Sequence, residues 1–146
     1  MIILLRGHIR NAFDDNKLYD LLKSLDSISP INLYIHTWSI QQNSLSWRRL
    51  ANIATVITEE RIRAYMRDLA PCIRCIQIDP DGQLPLIGTT EGTLVQGGSM
   101  PKRGWKNMWA GMERIMSAIV ADHPSGTLRV LNTRFTPGGG AADRAG

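Results

Sequence analysis

Four short apolar runs, separated by stretches of helical character, set what this chain can fold into. "IILL" at 2 to 5 is continuously apolar, as a strand covered on both faces should be. "INLYIHTW" at 31 to 38, "CIRCIQI" at 72 to 78 and "TLRVLNTRF" at 127 to 135 are similarly rich in β-branched, aromatic and aliphatic residues. Strands are therefore expected near 2–6, 31–37, 72–78 and 127–134. Asp14 and Asp15 open a helix over 15–26, where Leu18, Leu21, Leu22 and Leu25 recur at helical spacing. Thr58 followed by Glu59 and Glu60 opens a second over 59–69, which Pro71 stops. A third runs over 103–122, its expected apolar stripe made of Trp105, Met108, Trp109, Met112, Ile115, Met116, Ile119 and Val120. The first helix fits a right-handed crossover between two parallel strands. The expected fold is α/β: an open, mainly parallel, Rossmann-like sheet of about four strands with helices on its faces.

Three segments escape this alternation. Within 39–57, "SWRRLANIA" reads as a short helix. Residues 80–104 hold Gly, Thr and Pro without a period, and a loop of that length in a compact domain is often functional. The glycine-rich end, 136–146, is expected to be a disordered tail to a domain spanning 1–135.

The 146 residues suffice for one core. A net charge of +4 favours an anionic partner but is too small to call for nucleic acid. The apolar N-terminal run is too short for a signal peptide, and no stretch approaches a membrane span, so a cytoplasmic protein without a transmembrane segment is expected. Cys72 and Cys75 form C-x-x-C, but a zinc site needs about four ligands and no second pair exists. On a strand, residues three apart face opposite ways, which leaves them as structural thiols.

In open parallel sheets, ligands sit beyond the carboxyl ends of the strands. The "RGHIR" turn falls there. Gly7 permits close backbone approach, the Arg6 and Arg10 forks match phosphate oxygens, and His8 adds a further donor. His36 and Trp38 end the second run, and Asn132 and Arg134 the fourth. Lys102, Arg103 and Lys106 at the start of the third helix offer a diphosphate site. "DPDG" carries Asp79 and Asp81, a weak D-x-D candidate for Mn or Mg. Two carboxylates leave most of a hard cation's shell unfilled, so the expectation is a turn without a tightly held ion. No P-loop, G-x-G-x-x-G, G-x-S-x-G or H-E-x-x-H is present.

"LLRGHIRNAF", "LYIHTW", "SWRRL", "IDPDG" and "WKNMWAG", in this order, resemble the N-terminal part of glycosyltransferases from bacterial capsule and surface-polysaccharide loci. Those proteins look like GT-A enzymes, and the matches span residues 2 to 135. The resemblance implies a nucleotide-sugar donor and a glycan acceptor. It places the nucleotide on Gly7 and Arg10, with His36, Trp38, Trp105, Lys106, Trp109, Asn132, Arg134 and Phe135 also carried over. It implies too that an acidic residue and a further half of the protein follow the last strand. Here Thr136 and Pro137 follow Phe135. The expectation is accordingly a donor-binding domain of a truncated or frame-shifted product, or one completed by another chain. The alternatives are a non-catalytic remnant and a small α/β module that binds a phosphorylated ligand.

Overall fold

The computed structural model describes residues 1–39, 56–80, 85–95 and 99–135. The short helix expected at "SWRRLANIA" lies outside them, as do Asp81 and the tail from 136. In chain order the elements are β1 (Ile2–Arg6), α1 (Lys17–Ile28), β2 (Asn32–Trp38), α2 (Glu59–Met66) with a 3-10 turn over Arg67–Cys72, β3 (Ile73–Asp79), β4 (Thr93–Val95), β5 (Ser99–Pro101), α3 (Lys102–Asp122) and β6 (Val130–Arg134). The main sheet has the order β3-β2-β1-β6, and every pairing in it is parallel. This is the open α/β arrangement expected from the apolar runs. The unexpected element is the two-stranded antiparallel pair β4–β5 within 80–104. Its strands of three residues are too short to show an alternation.

The "IILL" run is apolar throughout because β1 is central and covered twice. Ile3 and Leu5 face one layer, with Leu33 and Ile35 of β2, Leu18 and Leu22 of α1, and Ile62 and Met66 of α2. Ile2 and Leu4 face the other, with Tyr34, Ile115 and Ile119. At about 25 cal/mol per Å², each such fully buried aliphatic side chain contributes roughly 1.5–3 kcal/mol. Thr58 caps α2 by accepting from the Arg61 amide, as its sequence position predicts. A register shift opposite Leu33 and Tyr34 accommodates Arg74. Cys72 packs against the first layer and Cys75 against the second, so the C-x-x-C pair is divided by the sheet. Burial raises the pKa of both thiols.

The third helix is rotated from its expected setting. Its buried residues are Asn107, Gly111, Ile115 and Ile119, a stripe at i, i+4. Trp105 is 41% and Trp109 50% exposed, and Val120 is exposed as well. The cause is what the helix meets. Its inner face crosses the polar end of β2, where a small residue fits and a tryptophan does not. At its far end the Tyr34 hydroxyl donates to Asp122 Oδ2 at 2.7 Å. Near its middle Gly111 lies against His36. Since His36 is nearer than Tyr34 to the carboxyl end of β2, α3 runs antiparallel to that strand. Its first turns therefore reach the carboxyl edge of the sheet. Among the described residues, no helix is long and apolar enough to cross a membrane.

Candidate functional site

The parallel register sets one polar row across the sheet. His36 pairs with Gln77 on one side and Arg6 on the other, and Arg6 pairs with Arg134. Registered neighbours project to the same face, so these residues share the α3 side. The row divides into a closed half and a cationic half.

In the closed half, His36 Nε2 lies 2.9 Å from Asp79 Oδ2, with both side chains almost fully buried. Arg114 Nε reaches the same oxygen at 3.1 Å, and Gln77 Nε2 donates to Asp79 Oδ1 at 3.1 Å. A charged carboxylate survives burial here because donors surround it. Burial lowers the His36 pKa, and Asp79 opposes that shift only in part. Burial thus favours the neutral imidazole, whose Nε2 faces the carboxylate. Its other edge is covered by α3: a Cβ on Gly111 would stand 2.3 Å from His36 Cε1 and 2.7 Å from Nδ1. His36 therefore holds Asp79 through Nε2 and packs its other edge against α3. Asp79, the described member of the D-x-D pair, is 3% exposed and turned to these three donors. No group of three or more His, Cys, Asp or Glu side chains that could hold a metal ion occurs among the described residues.

The cationic half is built on the turn after β1. Gly7 has φ of 99°, a value that favours glycine, and Thr37 Oγ1 donates to its carbonyl at 2.9 Å. Arg10 also lies in the left-handed region, at φ 50°, a conformation that costs a non-glycine residue about 1–2 kcal/mol. Arg6 Nε donates to Asn132 Oδ1 at 2.8 Å. Arg134 leans on α3, with Nη2 3.8 Å from the Met108 sulfur. The pKa values of Arg6 and Arg10 are lowered first by burial and then by the charge of Arg134. Two partly buried guanidiniums, Arg6 and Arg10, thus feel the charge of the exposed Arg134, a concentration of positive charge that suits an anion. Beside them His8 stacks on Trp38, with ring centroids 5.9 Å apart, and Trp38 meets the edge of His36 at 5.0 Å.

Arg6, Gly7, His8, Arg10, Trp38, Asn132 and Arg134 are thus brought to one edge. His36 joins them as a buried support. Lys106 stands apart: it donates to the carbonyl of Ile87 and lines a separate cavity of about 300 Å³ with Trp105 and Trp109. Lys102 and Arg103, expected as anion ligands, bond Thr89 and Thr90. The cations at the start of α3 therefore fasten the segment before β4. Sequence reasoning missed Gln77, Asn107, Gly111 and Arg114. Asn107 is 7% exposed, and its Oδ1 has neither solvent contact nor a hydrogen-bond partner among the described residues. An orphaned buried acceptor costs about 1–3 kcal/mol.

No protein-family model, no characterised protein and no solved structure matches this chain.

Proposed function

We propose that the chain is a glycosyltransferase-like domain that binds a nucleotide-sugar donor through its diphosphate at the carboxyl edge of the sheet. The observation that carries this reading is the gathering of Arg6, Arg10 and Arg134 around the Gly7 turn. Guanidinium forks suit phosphate oxygens, and the left-handed glycine lets backbone approach them. The sequence resemblance noted for 2 to 135 supports the same ligand class. The engagement of Asp79 by His36, Gln77 and Arg114 favours a second reading, in which the domain binds such a ligand without transferring the sugar.

Titration calorimetry with uridine diphosphate tests the binding. Arg10→Ala should weaken it by about 1–3 kcal/mol, the range of a charged hydrogen bond. Because a buried Asp79 leaves little to a cation, manganese should change the affinity little. Equal affinity in wild type and variant would remove the turn from the site. Hydrolysis of a sugar nucleotide by the wild type, measured with and without manganese, separates the transferring from the binding-only reading.

A further inference from the structure

The outer face of α3 carries two tryptophans that the core does not use. Trp105 and Trp109 each stand two positions before a residue of the inward stripe, Asn107 and Gly111. Two positions are about 200° around a helix, so both indoles turn away from the sheet, and both are exposed. Their rings meet edge to face, with centroids 6.2 Å apart. They line the cavity of about 300 Å³, whose other wall is the segment from Pro85 to Ile87. That wall is fastened to the helix: Lys106 donates to the Ile87 carbonyl, Lys102 to Thr89 and Arg103 to Thr90. Small-molecule sites run from roughly 300 to 1,000 Å³, so the cavity suits a single ring with its substituents.

The lining selects by charge. It holds one cation, Lys106, and one carboxylate, Glu113. An anion would face Glu113 and a cation would face Lys106, while a wholly apolar chain would strip water from both. An uncharged molecule with an apolar face for the indoles and hydroxyls at its edge satisfies the whole set. Hydroxyls accept from an ammonium, which has three N–H donors, and donate to a carboxylate, which only accepts. A pyranose has this build, with C–H groups on the face of its ring and hydroxyls around its rim. We propose that the cavity binds one neutral sugar unit, stacked on Trp105 and Trp109 and held at its rim by Lys106 and Glu113. The proposal does not rest on the diphosphate reading, because the arginine cluster lies at the edge of the sheet and this cavity on the far face of α3.

The test titrates the isotope-labelled full chain with the methyl glycosides of glucose, galactose, mannose and N-acetylglucosamine, followed through the indole N–H resonances. Trp105→Phe and Trp109→Phe assign the two peaks. At least one glycoside should shift both saturably and leave the Trp38 peak in place. Trp109→Ala should weaken that glycoside about tenfold or more, and Glu113→Ala about fivefold. Because the ligand is uncharged, its affinity should change less than about twofold between about 50 and 500 mM sodium chloride. Both replaced side chains are exposed, so both variants should melt within about 4 °C of wild type. Should Trp109→Ala melt lower than that, the affinity of Glu113→Ala decides alone. A failure of every glycoside to shift the two indoles overturns the proposal, as does wild-type affinity in the variants. Shifts produced by tetramethylammonium or by phosphatidylglycerol vesicles, and by no glycoside, overturn it too, in favour of a cation cage or a membrane face. None of these outcomes bears on pyrophosphate binding at the arginine cluster, so the two readings fail separately.

Discussion

At the residue scale, the buried His36–Asp79 pair makes a specific statement about pH. Burial holds the folded-state pKa of His36 below its ordinary 6.5, against the pull of Asp79 and with help from the nearby charges of Arg114 and His8. As pH falls below 6.5, the unfolded chain takes up a proton that the folded chain refuses. The unfolded state then binds more protons, so stability falls with falling pH until the folded-state pKa is passed. Denaturant midpoints measured from pH 7 down to 5 should decline in wild type and be flatter in His36→Asn. An identical slope in the two would locate the dependence elsewhere. This role was only half legible. "IHTW" marked His36 as a polar residue in a buried strand, but the helix that covers it is distant in sequence. The signal was the pair Asn107 and Gly111, two non-apolar residues four apart on a helix. Neither contributes to an apolar stripe, so the tryptophans and methionines pointed to another face.

At the element scale, the inner face of α3 is held near its middle and at its far end, and two glycines in the helix should respond oppositely to the same change. Gly104→Ala meets nothing within 4 Å and should stabilise by up to about 1 kcal/mol through helix propensity. Gly111→Ala must displace a ring that Asp79 fixes, and should cost about 1–3 kcal/mol despite that propensity. Chemical denaturation of both variants checks the contrast; stabilisation of Gly111→Ala would mean that His36 is free to move. Tyr34→Phe removes the bond to Asp122 and should cost about 1 kcal/mol by the same measurement. The elements themselves were largely legible. Each strand of the main sheet began and ended within about three residues of its apolar run; the two central strands, β1 and β2, are buried along their length and must be apolar there, while the edge strands β3 and β6 are only partly covered. The β4–β5 pair was not, since its six residues carry no period and are fixed by neighbours such as Lys102, whose amide donates to the Gly92 carbonyl.

At the scale of the whole molecule, the order β3-β2-β1-β6 places β1 between β2 and β6. The turn after β1 is therefore flanked by the ends of both, and residues far apart in the chain converge: Arg6 and Arg10 from the turn, Trp38 from β2, Asn132 and Arg134 from β6. Parallel alternation announced that polar residues at strand ends would share an edge. It did not announce the strand order, and so could not tell which of them would meet. Lys106 shows the limit. Its helix starts at that edge, yet its ammonium donates to the Ile87 carbonyl. The central claim is that the arginine cluster is built for an anion, and Arg134 is the member whose charge acts on both others. The most direct measurement is the melting temperature of wild type and Arg134→Ala with and without millimolar pyrophosphate. A binder of the folded state present at 100 times its Kd stabilises by about 2.7 kcal/mol. The account predicts a clear rise in wild type on adding pyrophosphate. It predicts little or none in Arg134→Ala, whose unliganded form melts no lower than wild type because a like charge has been removed. An equal rise in both proteins, or none in wild type, would contradict it.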